Sequence, residues 1–179
     1  MRILHLFLLL ILSFTLIETS YAQKNSSEEK IKASYIFNFI RFINWPSTEL
    51  GQKKQSIQIC IFKHNRRFEK AFKPVLGKKV RGHSLKFKKI SNTKNIPNCH
   101  LLYIGKAEKS QIAILLPELT KHRVLSISDT RNFCAKGGII GMVKKKGRIR
   151  VEINLKRAKS AGFKISSNLL EVATIVDGP

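Results

Sequence analysis

The sequence predicts an α/β fold: a single-domain sandwich in which a central mixed sheet is flanked by helices. Three observations predict it. Short apolar runs with strand character, Ile57 to Phe62, Leu101 to Ile104 and Val124 to Ser128, alternate with segments of helical spacing, as in strands joined by crossover helices. No repeat, low-complexity tract or linker divides the chain. A length of 179 residues with 43% hydrophobic composition, Phe contributing 11, describes one domain with an ordinary core and excludes a disordered basic tail.

The elements follow in order. Arg2 precedes an apolar run from Leu6 to Ile17, and Ser20-Tyr21-Ala22 places small residues at a cleavage site. Residues 1–22 therefore read as a secretory signal peptide, too short for a membrane span. Residues 23–179 are then an exported domain, soluble in an oxidising compartment, the periplasm. Capping hydroxyls at Ser26 and Ser27 and the acidic Glu28 and Glu29 predict a helix from about Ser27 to Asn44, ended by Pro46. Ile31, Tyr35, Ile36, Phe39, Ile40, Phe42 and Ile43 sweep one face of it, which Lys32 interrupts. Ile57 to Phe62 is a strand, Asn65 to Phe72 a weak helix, and Ser84 to Ile90 a half-exposed strand in which apolar residues alternate with Lys.

Leu101 to Ile104 is a buried strand, followed by a helix from Lys106 to about Leu116. Val124 to Ser128 is the next strand. Ile139 to Val143 and Arg148 to Ile153, separated by Lys146-Gly147, read as a hairpin. Asn154 is placed to cap a short helix ended by Gly162. A final helix is expected from Asn168 to near Val176, with Glu171 at capping-box spacing.

No catalytic constellation emerges. The five histidines lack metal-ligand spacing, no G-x-S-x-G elbow occurs, and Gly137-Gly138 precedes a strand where a phosphate loop precedes a helix. The reading is a protein that is not an enzyme and needs no metal or cofactor. Cys60 and Cys99 come within bridging reach if their strands are neighbours, and an exported chain would oxidise them. Cys134 is left over and reads as a buried free thiol. The net charge of +23 is the property that most needs a cause. Nine Lys and Arg stand against the single Glu152 between Lys136 and Lys159, with Lys144, Lys145 and Lys146 at the hairpin tip. Such a surface attracts anionic lipid or an acidic partner; nucleic acid is disfavoured by the compartment and by the absence of stacking aromatics among the lysines.

Three segments carry a family resemblance: EEKIKASYIFNFIRFINWP from Glu28, CHLLYIG from Cys99, and the stretch from Val124 to Ala173 containing SISDTRNFCAKGGIIG and RVEINLKRAKSAGF. The chain resembles the YfiR family of periplasmic regulatory proteins. The resemblance implies a non-catalytic homodimer that binds the periplasmic sensor region of an inner-membrane diguanylate cyclase and lowers cyclic di-GMP, restraining biofilm formation and attachment. It also implies release through sequestration by an outer-membrane lipoprotein. The family's usual disulfide positions fall on Cys60 and Cys99, and its second bridge is missing because no cysteine follows Cys134. Within the matched segments Glu152 reads as a partly buried carboxylate needing a partner, and Asn154 as a helix cap. Arg157, Lys164 and Ser166, beside helix ends, form a candidate anion site. The competing readings are a periplasmic module for small solutes or anionic lipid with no cyclase partner, and a secreted nucleic-acid-binding protein.

Overall fold

The computed structural model describes residues 28–46, 56–63, 66–105 and 109–179; the signal peptide expected over 1–22 lies outside them. Helix α1 occupies 28–42 and β1 is Ile43–Asn44. Then come β2 (Ile57–Phe62), α2 (Arg66–Phe72), β3 (Lys79–Val80), β4 (His83–Ile90) and β5 (Leu101–Ile104). The chain continues through α3 (Lys109–Lys121), β6 (Leu125–Ser128), β7 (Ile140–Lys145) and β8 (Arg148–Ile153). It closes with α4 (Leu155–Ser160), β9 (Lys164–Ile165), α5 (Ser167–Glu171) and β10 (Ala173–Ile175).

Eight strands form the main sheet in the order β10-β8-β7-β6-β5-β2-β4-β3. The block β4-β2-β5-β6-β7 is parallel, β8 runs antiparallel to β7 and β3 to β4, and β10 lies parallel to β8. Two-residue periodicity sends alternate side chains to opposite faces. Ile57, Ile59, Ile61, Leu101, Tyr103, Leu125 and Ile127 join the core under α1 and α2. Cys60, Leu102 and Ile104 join a second core with Ile112, Leu115 and Leu119 of α3. Helices thus cover both faces, the sandwich expected from the alternation of runs.

The condition for the disulfide is met because β2 and β5 are neighbours, with Ile59 opposite Leu101. Cys60 and Cys99 are bridged, their Cα atoms 5.8 Å apart and 39 residues apart in sequence. Closing a loop of that size stabilises a domain by about 4 kcal/mol in the chain-entropy model. The hairpin turns at Lys146 (φ 47°) and Gly147 (φ 75°). Two consecutive left-handed residues match the twist of the flanking strands, and glycine takes that conformation without a Cβ penalty.

Three boundaries differ from the sequence reading. The first helix stops at residue 42, and Ile43–Asn44 pairs antiparallel with Lys164–Ile165; the apolar spacing of Ile43 suits a strand as well as a helix. Helix α3 runs through Pro117 to Lys121, five residues past the expected end at Leu116. The amide missing at Pro117 costs one hydrogen bond, while the continued turn buries Leu119 to 3% exposure and closes a Thr120 Oγ1 to Leu116 carbonyl bond of 2.8 Å. The final helix is short, and 173–175 forms β10 beside Val151, Glu152 and Ile153. The run Thr174-Ile175-Val176 is β-branched throughout, which favours the strand.

Candidate functional site

The strand order creates a crevice. From β2 the chain passes through α2 to β4 on one side, and from β5 it passes through α3 to β6 on the other. Connections that diverge from two adjacent parallel strands leave a gap at their carboxyl ends, the usual place for a ligand in a doubly wound sheet. A cleft of about 750 Å³ opens there. Phe62, Lys63 and Gly105 mark the ends of β2 and β5, Tyr103 and Asp129 lie deeper, and Met142 and Ile149 of the hairpin form an apolar side. The first turns of α1 cover it with Glu28, Glu29 and Lys32.

Lys32, which interrupts the apolar face of α1 in sequence, is the centre of this site. Its side chain is only 4% exposed and its Nζ lies 2.7 Å from Asp129 Oδ2, 2.9 Å from Glu28 Oε1 and 3.6 Å from Glu29 Oε1. Burial opposes the ammonium, but the hydrogen bond and charge of Asp129, with Glu28 and Glu29, outweigh it and hold the Lys32 pKa above its usual value. Tyr103 donates its hydroxyl to Asp129 Oδ2 at 3.2 Å, and burial next to the carboxylates pushes its pKa up. Lys144 at the hairpin reaches Glu28 Oε2 at 2.6 Å. The Lys144 hydrogen bond, opposed by burial and aided by Lys32, draws the Glu28 pKa down to about 2. Glu29 moves the other way, raised chiefly by burial.

The network is incomplete. Asp129 Oδ1 and Glu29 Oε2 are buried and accept no hydrogen bond among the described residues. At the rim, Lys63, Arg66 and Arg67 are exposed and have no carboxylate in ion-pair contact among the described residues. The site therefore offers acceptors in its depth and cations at its mouth.

The residues singled out from sequence lie elsewhere. Asn154 is fully buried; its Oδ1 accepts from the Arg157 amide at 2.9 Å and its Nδ2 donates to the Cys134 carbonyl at 3.1 Å. Glu152 pairs with Lys145 at 3.2 Å. Cys134 is buried, and desolvation next to the Glu152 charge pushes its thiol up to about 12, so it is not a nucleophile at neutral pH. The candidate anion residues are held by different elements. The Arg157 guanidinium bonds Thr120 of α3, Lys164 pairs across to Asn44, and the Ser166 amide donates to the Phe42 carbonyl. Sequence reasoning missed Lys32 with Asp129, Tyr103, Glu28 and Glu29. The available signal was a lysine inside an apolar helix face, since a buried ammonium requires a carboxylate.

A family model for YfiR/HmsC-like proteins matches residues 29–174, which include every cleft residue on the sheet together with Glu29 and Lys32 of α1. The chain belongs to the YfiR/HmsC-like family. Members of this family are periplasmic regulatory proteins. No curated protein matches the chain. Among solved structures, it is similar to the ligand-free, open form of a substrate-binding protein with adhesive properties from Clostridium difficile. The TM-score is 0.47 at 14% identity, over 70% of this chain and 55% of that one. It is also similar to an ABC domain in complex with L-Trp from Streptococcus pneumonia, with a TM-score of 0.47 at 10% identity over 68% and 55% of the two chains. This YfiR/HmsC-like chain spans about half the length of each of these structures.

Proposed function

We propose that this protein is a periplasmic negative regulator that binds the sensor region of an inner-membrane diguanylate cyclase and lowers cyclic di-GMP output, restraining attachment and biofilm growth. The observation that carries the reading is the family match across residues 29–174. It acts by contact, as a homodimer, and an outer-membrane lipoprotein that sequesters it relieves the inhibition. The contact surface is the exposed tip from Lys144 to Arg148 with the adjoining start of α1. These two segments are joined by the Lys144 to Glu28 pair, and Ile31 of α1 is 46% exposed. A basic tip accelerates encounter with an acidic sensor domain at low salt.

Deleting the gene is expected to raise cyclic di-GMP, and cross-linked pull-down from membranes to recover a sensor-bearing cyclase. Complementation with Lys146→Glu/Arg148→Glu, at exposed positions, should fail to restore inhibition while the protein accumulates normally. The cleft favours a second reading, a solute-binding module with no cyclase partner. Unchanged cyclic di-GMP in the deletion strain, together with a co-purifying solute, would establish that alternative.

A further inference from the structure

The cleft at the carboxyl ends of β2 and β5 combines features that a purely structural ion cluster does not need. The Asp129 side chain is 8% exposed and spends one oxygen on Lys32 and Tyr103, leaving Oδ1 buried with no donor among the described residues. Glu29 Oε2 is left in the same state beside it. Buried acceptors without donors cost free energy, so a site that retains two of them, on residues that line a cavity of about 750 Å³, stands to gain from a donor that arrives from outside and draws either carboxylate toward it. The same cavity is lined by the exposed Lys63, Arg66 and Arg67, none engaged by a carboxylate among the described residues. Ile61, Phe62 and Met142 add apolar lining.

We propose that this cleft binds a small amphoteric solute, whose ammonium or hydroxyl group donates to Asp129 Oδ1 and Glu29 Oε2 while its carboxylate or phosphate meets Arg66, Arg67 and Lys63. The volume suits a molecule the size of a single metabolite. Neither a simple anion nor a simple amine satisfies both ends. An anion leaves the two acceptors unpaired, and an amine adds positive charge beside Lys63, Arg66 and Arg67, which no carboxylate among the described residues neutralises. The inference is independent of any cyclase contact, because binding is read on the purified protein alone.

Isothermal titration of the purified mature protein tests it with four probes. L-Glutamate supplies carboxylates with an ammonium, glucose 6-phosphate supplies a phosphate with hydroxyls, glutarate retains the carboxylates without a donor, and putrescine retains amines without an anion. Saturable binding of at least one amphoteric probe is expected, with glutarate and putrescine weaker by about tenfold or more. Glutamate alone assigns an amino acid class, and glucose 6-phosphate alone a phosphorylated one. Arg66→Ala/Arg67→Ala, at exposed positions that leave the core intact, should weaken the bound probe by about tenfold or more, and Glu29→Gln should weaken it with the fold retained. Two outcomes overturn the proposal: no saturable heat from either amphoteric probe at millimolar concentration, or an affinity unchanged in both variants.

Discussion

Two polar clusters occupy opposite ends of the β7–β8 hairpin, and they are built to different standards. At the end where β8 leaves the sheet, Asn154 is completely buried and completely used: its amide and carbonyl bond Ile139 and Ala158, and its side chain bonds Cys134 and Arg157. Gly178 lies so close that a Cβ there would sit 2.7 Å from Asn154 Nδ2. Nothing further fits, and nothing further is required. At the other end, Lys32 and Asp129 are largely buried, yet two carboxylate oxygens find no donor among the described residues in a site that lines an open cleft. A satisfied network specifies a fold, whereas an unsatisfied one beside a cavity leaves a place for a visitor.

The largest expected effect that sharpens this contrast is Lys32→Met. Removing one member of a buried ion cluster leaves Asp129 and Glu29 without their cation and Glu28 with Lys144 alone, and urea denaturation should show a loss of about 3–5 kcal/mol. Asn154→Ala should cost less, about 2 kcal/mol, through the lost cap and the unpaired Cys134 carbonyl, and added solutes should not recover it. If the same solutes stabilised the wild type and Asn154→Ala but left Arg66→Ala/Arg67→Ala unmoved, the division between the two ends would stand.

Acid should act on the cleft end before it acts on the Asn154 end, which holds no carboxylate in its hydrogen bonds. Glu28 is held at about 2 against an ordinary 4.5, so its contribution is fully present above 4.5 and is lost as pH falls towards 2. Denaturation midpoints should therefore decline across that window, and Lys144→Met, which removes the main cause, should flatten the decline. The smallest effect belongs to Glu29→Gln. A carboxylate whose pKa is raised by burial costs stability once it ionises, so the amide should stabilise the fold at neutral pH by less than about 1 kcal/mol after solvent screening, read as a small rise in melting temperature. A fall in melting temperature would mean that Glu29 serves the fold, erasing the contrast.

Sequence alone made the strands legible because each carries its own period. Ile57, Ile59 and Ile61 alternate with Cys60 across two cores, and the Lys146-Gly147 turn announces the hairpin. Asn154 was legible for a local reason as well, since a cap bonds three residues ahead. Elements decided by distant partners were not. Ile43 and Asn44 carry helical spacing and are drawn into a strand by Lys164 and Ile165. Lys32 looked like a flaw in an apolar stripe because its partner Asp129 is 97 residues away. The positions of Lys63, Arg66 and Arg67 around one mouth depend on strand order, which no local pattern encodes.

The disulfide has a mechanical meaning for the cleft. It ties the middle of β2 to the residue two places before β5, and these are the two strands whose carboxyl ends part to form the crevice. A slip of one residue between them would turn Tyr103 to the α3 side and raise Gly105 out of level with Lys63. The covalent link forbids that slip, so the cleft is set to its working height before any solute enters it, and binding need not supply the cost of aligning its walls.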